Sequence, residues 1–237
     1  LSDIGGNVRV ALRKSDIVRA VNVRGNVELK GGGWDVDLDS IQGTTTVNGA
    51  YAGEIRLRKL AKPLRFQGRS EELRLERIDG FLRMTRAELG ADGLAGPIVI
   101  RARSKDVLLS NFTDSLELNV ERGDVQVRPG RIPLARMDIR SHAGDIEFVA
   151  PLNARFQLRA TTGRGEIVDY FGAPLEKRRE GRGEILTGSV GGGGPEIALV
   201  SERGIIRIYK AGADGVTPAG RPETKGPPAS SLTVQEQ

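Results

Sequence analysis

His142 is the only histidine in the 237 residues, so any Ser–His–acid relay would have to run through it. Its neighbour Ser141 is a poor nucleophile for that relay. Consecutive side chains on an extended chain point to opposite faces, and no G-x-S-x-G turn is present to hold a serine in the strained geometry attack requires. The ordinary reading of His142 is a surface-turn histidine. With one histidine and no cysteine, zinc and other transition-metal sites lack their usual ligands. In "WDVDLDS", period two places Asp35, Asp37 and Asp39 on one strand face. Three carboxylates in a row suit Ca²⁺, a hard cation that takes oxygen ligands. The calcium-binding β-roll, however, repeats glycines at fixed offsets. Here Trp34 stands in a glycine place and the unit occurs once, so a solvated strand face is the default. Arg9 and Arg56 are the expected partners on neighbouring coils, each worth under about 1 kcal/mol when exposed. The glycine runs Gly31–Gly33 and Gly191–Gly194 lack the Lys-Ser/Thr of a phosphate-binding loop and read as turns. Arg9, Arg56, Arg58, Arg74, Arg83 and Arg207 face outward in the alternation and offer a basic stripe to an acidic polymer. No aromatics interleave with them to stack on bases, so no nucleic acid is expected. No catalytic, cofactor-binding or metal residue is nominated, and no cofactor is expected.

Composition narrows the classes further. The absence of cysteine excludes disulfide frameworks, thiolate metal sites and cysteine nucleophiles, and suits an oxidising compartment. Aromatics are 4% of residues, so the core must be aliphatic, and 32 glycines point to turns rather than helices. The net charge of +5 is spread along the chain and is accounted for by solubility. No apolar run approaches the roughly 18–20 residues that span a bilayer. No signal peptide is visible. "LSDIGGNVRV" reads as the middle of a repeat, so residues upstream of Leu1 are expected, with any export signal among them.

The elements that must position these residues are short strands. "GNVRV", "GNVEL", "GEIRL", "GFLRM", "GPIVI", "GDVQV", "GDIEF" and "GIIRI" each alternate apolar with other side chains behind a glycine. Period two means a strand with one buried face. Each glycine is expected where the chain turns sharply and needs positive φ. The spacings Gly6–Gly25, Gly25–Gly43, Gly123–Gly144, Gly144–Gly165 and Gly183–Gly204 run from 18 to 21 residues. A period near 20 predicts an all-β, solenoid-like stack, each coil holding two strands and two turns, with one shared aliphatic interior. The competing architecture is a two-sheet antiparallel sandwich or barrel. "SEELRLERI" is expected as a strand followed by a turn, and Lys177, Arg178 and Arg179 as a solvated loop or hairpin tip.

The segment "GRGEILTGSVGGGGPEIALVSERGIIRIYK", Gly181 to Lys210, together with "SHAGDIEF" and "TTGRGEI", is similar to the closing section and the repeated Ser/Thr-x-x-Gly-Asp-Ile phrase of the bacterial DUF4097 family of adhesin-like β-strand repeat proteins. The likeness covers roughly residues 1–210. "SERGIIRI" departs from it, with Arg203 and Ile205 flanking Gly204. The resemblance implies a β-solenoid-like domain, often attached to an envelope or membrane segment, and brings no catalytic residues.

The expected organisation is a repeat domain over residues 1–210, truncated at its N-terminus, and a disordered Pro/Gly-rich tail over 211–237. The expected function is non-enzymatic: an adhesin-like or scaffolding surface of the cell envelope, periplasmic or facing outward. Its expected partners are an envelope protein or an acidic polysaccharide. A self-assembling solenoid that associates through its ends and a polysaccharide-active enzyme on a β-helix are the alternatives.

Overall fold

A computed structural model describes residues 1–13, 16–172 and 174–212. The expected tail lies outside the described residues from 213 onward. Strands β1 (Ser2–Ile4), β2 (Val8–Leu12), β3 (Val18–Val23), β4 (Val27–Gly31), β5 (Val36–Ile41), β6 (Thr45–Asn48), β7 (Ile55–Leu60) and β8 (Leu64–Gln67) wind as flattened coils. Odd-numbered strands stack in parallel in a first sheet and even-numbered ones in a second. β9 (Glu71–Met84) and β10 (Glu88–Ser104) each cross both sheets and pair with one another antiparallel. Parallel coiling resumes in β11 (Asp106–Ser110), β12 (Leu116–Arg122), β13 (Val125–Arg128), β14 (Met137–Ala143), β15 (Ile146–Ala150), β16 (Phe156–Arg164) and β17 (Ile167–Asp169). β18 (Glu176–Glu180), β19 (Gly183–Val190), β20 (Glu196–Arg203) and β21 (Ile206–Lys210) complete the chain. The result is a β-solenoid of about eight turns, as the glycine period predicts. Val27, Ile55, Val125, Ile146 and Ile206 belong to one continuous apolar interior between the two sheets.

Three columns of side chains tie coil to coil. The glycines form the first, at Gly6, Gly25 and Gly43 on the edge leading from the first sheet to the second, and at Gly123, Gly144, Gly204 and Gly165 on the opposite edge. Gly123 (φ 134°) and Gly144 (φ 154°) have the expected positive φ, whereas Gly6, Gly25, Gly43, Gly165 and Gly204 lie outside the left-handed region. Beyond the first coil, what the glycines share is close approach. A Cβ on Gly25 would stand 2.4 Å from the Gly6 carbonyl oxygen, one on Gly43 2.3 Å from that of Gly25, and one on Gly204 2.1 Å from that of Gly144. The residue after the glycine forms the second column. The Asn26 N–H donates to Asn7 Oδ1 (2.8 Å) and the Thr44 N–H to Asn26 Oδ1 (2.8 Å). On the opposite edge, beginning from Asp106 behind Lys105, the Asp124 N–H donates to Asp106 Oδ1 (3.0 Å), Asp145 N–H to Asp124 Oδ1 (2.9 Å) and Ile205 N–H to Asp145 Oδ1 (2.8 Å). The Gly-Asn and Gly-Asp phrases are therefore a stacking code in which a short side chain satisfies a backbone donor on the next coil. The third column, Asp3, Asn22, Ser40 and Lys59, has φ between 50° and 58°. At Asn22, Ser40 and Lys59 the next buried side chain falls three positions on, from Ala20 to Val23, from Leu38 to Ile41 and from Leu57 to Leu60.

The sequence order of the coils is broken twice. At the centre, "SEELRLERI" does not end in a turn; it runs on through "GFLRM" as the single strand β9. The turn at 68–70 stays within the second sheet and the turn at 85–87 within the first. On the edge where coils normally return from the second sheet to the first, no backbone of the described residues crosses between the 49–54 loop and the 103–105 connection. This lateral window holds a cavity of about 820 Å³. The buried Lys105 straps it: its ammonium donates to the carbonyls of Thr85 and Arg86 and pairs with Glu71 (3.0 Å). At the C-terminal end, β20 inserts between β14 and β16, and β21 between β15 and β17. Gly165 thus stacks on Gly204, and Gly204 on Gly144. The hairpin β18–β19 covers the second sheet beyond β16. Lys177, Arg178 and Arg179 lie in the fully exposed strand β18, and the hairpin tip is Gly181–Arg182. A charged outermost strand discourages further edge pairing.

Candidate functional site

Outward positions line up in register across the first sheet. Arg56 of β7 faces Arg83 of β9, and then follow Gly90, Leu108, Gln126, Glu147 and Arg207 on β10, β11, β13, β15 and β21. Gly90 has open space where a side chain would stand. The row therefore dips into a groove of about 530 Å³ walled by Phe81, Arg83 and Leu108. Phe81 and Leu108 are 46% and 44% exposed, an unusual choice for strand positions that alternate with a full core. Glu88, Asp106, Asp124, Asp145 and Glu147 also line the groove.

The polar groups here are held in place. Asp106, Asp124 and Asp145 each spend one carboxylate oxygen on the next coil's backbone. The other oxygen of Asp145 accepts from Arg207 Nη1 (2.8 Å), and this hydrogen bond raises the guanidinium's pKa above its ordinary value. Gln126 Nε2 donates to Glu147 (2.5 Å). Ser110 and Asn111 both donate to Asp92 Oδ2 (2.6 Å each). Beyond Arg207, Tyr209 and Tyr170 stack with ring centroids 4.7 Å apart, and burial chiefly pushes the Tyr209 phenol up. The arrangement is a fixed surface with an apolar dip and an acidic border. Such a surface suits contact with a partner's aliphatic and basic side chains.

The residues singled out from sequence fall elsewhere. His142 lies on strand β14 of the second sheet, not in a turn, with Nδ1 2.6 Å from Glu202 Oε2. Ser141 is buried beside it and donates to the Gly123 carbonyl (3.5 Å), so the two point to opposite faces. Asp37 and Asp39 face outward on β5, whereas Asp35 precedes the strand and accepts from the Glu54 N–H (2.7 Å). Of the two expected partners, Arg56 does lie directly across from Asp37 in the register, although its nearest carboxylate is Glu54, whereas Arg9 is on the other sheet. Asp37 meets Arg19 (3.7 Å) and Arg58 (3.4 Å), and Asp39 meets Arg58 (3.2 Å). Arg9 is on the second sheet with Glu28 (3.2 Å), and Arg56 pairs with Glu54. Among the described residues no group of three or more His, Cys, Asp or Glu is placed to hold a metal ion. The six arginines of the supposed stripe divide between two faces, and each has a carboxylate partner. Neither Phe81 nor Leu108 is singled out by the sequence; the groove depends on the cross-strand register of Gly90, which one strand read alone does not show. No helix of the described residues is long and apolar enough to cross a membrane. Compared with protein-family models, curated proteins and solved structures, the chain matches none.

Proposed function

We propose that this chain is a non-enzymatic contact and spacing module of the cell envelope, adhesin-like in action, which engages its partner through the groove on the first sheet. One observation carries the reading. Outward positions elsewhere on the coils are mostly charged pairs, while Phe81 and Leu108 stand exposed over an unfilled glycine position on a surface that every rung makes rigid. The resemblance to adhesin-like repeat proteins and the absence of thiols support the envelope setting. A Cβ at Gly90 meets nothing within 4 Å, so Gly90→Arg can enter the groove from open space and occupy it. It should abolish binding of the purified domain to isolated envelope fragments, followed by biolayer interferometry, while circular dichroism stays unchanged. Undiminished binding by the folded variant removes the groove from the account. Absence of binding by the parent domain refutes the adhesive reading.

A further inference from the structure

We infer that the lateral window on the return edge is a second binding site, and that its ligand is a carboxylate-bearing polysaccharide. Cavity, charge and aromatic placement converge there. The walls are largely bare backbone, from Gly31 to Gly33 and at Gly49 and Gly53, together with the hydroxyls of Ser70, Thr85 and Ser104. The cations Arg69, Arg86 and Lys105 line the cavity against the single carboxylate Glu71, which Lys105 already engages. Arg86 Nε donates to the Ala52 carbonyl (3.0 Å), leaving the rest of its guanidinium to the opening. Arg69 is exposed and has no carboxylate partner among the described residues. Tyr51 packs against Phe66 with ring centroids 6.2 Å apart, and its hydroxyl is buried with no hydrogen-bond partner. Trp34 does not itself line the cavity but stands half exposed against the lining residue Gly53, where a Cβ would lie 2.8 Å from its Cδ1.

Each feature selects among ligand classes. An acyl chain needs a deep dry channel, but Ile55, Phe66 and Met84 at the floor are already buried by the fold. A sugar ring offers an apolar C–H face for an exposed indole and a rim of hydroxyls for backbone, serine and threonine groups. A carboxylate on that ring matches Arg69 and Arg86 as planar, charge-assisted donors. Successive sugars fit a window that stays open along two rungs.

The inference deepens the adhesive reading by naming a ligand class, yet it stands on different residues. Trp34 is the sole tryptophan and neighbours the lining residue Gly53, so its fluorescence serves as the probe of occupancy, with calorimetry as an independent readout. Titration of the intact domain with alginate oligosaccharides, by fluorescence and calorimetry, should give saturable binding that weakens with salt. A neutral maltohexaose of similar length should give none. Arg69→Glu breaks no side-chain hydrogen bond or ion pair among the described residues and should weaken alginate binding by about tenfold or more. Gly90→Arg, on the other face, should leave it unchanged. Equal response to alginate and maltohexaose overturns the assignment of an acidic ligand. No response to either, or an unaltered affinity in folded Arg69→Glu, overturns the site. Loss of envelope binding in Gly90→Arg with alginate binding intact separates the two surfaces.

Discussion

Gly6 and Gly25 begin nearly identical phrases, "GNVRV" and "GNVEL", and both lie outside the left-handed φ region. Replacing each with alanine isolates what the glycine column does. A Cβ at Gly25 would meet the Gly6 carbonyl oxygen at 2.4 Å, its carbon at 2.5 Å and the Asn7 nitrogen at 2.7 Å. All three are backbone atoms, so no side chain can swing away. Reaching ordinary contact at about 3.5 Å requires the coils to part by roughly 1 Å. The flanking bonds from the Val8 N–H to the Asn26 carbonyl and from the Asn26 N–H to Asn7 Oδ1, both 2.8 Å, are stretched by that movement. Overpacking costs about 1–3 kcal/mol, and weakening two hydrogen bonds adds about 1 kcal/mol each at most. The expected loss for Gly25→Ala is about 3 kcal/mol, or some 6–12 °C in melting temperature for a domain of this size. Gly6→Ala meets nothing within 4 Å and should change stability by no more than about 0.5 kcal/mol, or raise it slightly by restricting the unfolded chain. Urea titration gives the two free energies, and hydrogen exchange over residues 2–12 locates the damage in the N-terminal coils. Equal destabilisation by both substitutions, or none by Gly25→Ala, refutes close approach as the reason for the recurring glycine.

Other perturbations follow from the same contacts. Asp145→Ala removes the acceptor for the Ile205 N–H and the partner of Arg207, and should cost roughly 1–2 kcal/mol, with the loss of exchange protection centred on residues 196–210. Lys105→Met leaves Glu71 and two carbonyls without their buried partner. It should cost about 3 kcal/mol and raise amide exchange in the 85–87 turn in particular. Acid should destabilise the fold through three carboxylates. Hydrogen bonding to Lys30 holds Glu28 below the ordinary value of 4.5. At Glu54 burial pushes upward, but Arg56 and Arg83 outweigh it. The Ile167 N–H holds Glu184 down. A depressed folded pKa means the unfolded chain takes up protons first, so this stability is complete above about pH 4.5 and drains as pH falls through the lower folded values. Melting temperatures should be flat near neutrality and fall below about pH 4.5, with a shallower fall in Glu54→Gln.

Much of the architecture is written locally and was legible. Val27 and Leu29 around Glu28, or Ile146 and Phe148 around Glu147, declare a strand and its buried face without reference to any other coil. The period near 20 declares the stack. What escaped depends on partners far along the chain. Gly144 is followed in sequence by the Gly165 coil but covered in space by Gly204, because β16 leaves a rung empty that β20 later fills. No periodicity encodes a skipped rung. The left-handed column at Asn22, Ser40 and Lys59 breaks period two in "AVNV", "LDSI" and "LRKL", and that three-residue spacing was the overlooked signal. Arg9 was misplaced as a counter-charge for the same reason, while Arg56 does face Asp37. Arg9 alternates correctly, but alternation does not say on which sheet. The groove and the window both arise at the central β9–β10 pair, where the repeat itself is interrupted.

The interleaved order of the final coils is the sharpest consequence of a stack held together by one interior. Cysteine cross-linking reads it out in a chain that contains no cysteine of its own. Asp138 and Ala198 are register partners on β14 and β20, and Ala198 is in turn the partner of Arg159 on β16. Neighbouring strands lie about 4.8 Å apart, within the range a disulfide spans, while strands two rungs apart, at about 9.6 Å, lie beyond it. Oxidation of the Asp138→Cys/Ala198→Cys variant should close the disulfide, and that of Asp138→Cys/Arg159→Cys should leave free thiols. The reverse outcome would place the coils in simple sequence order and contradict the account.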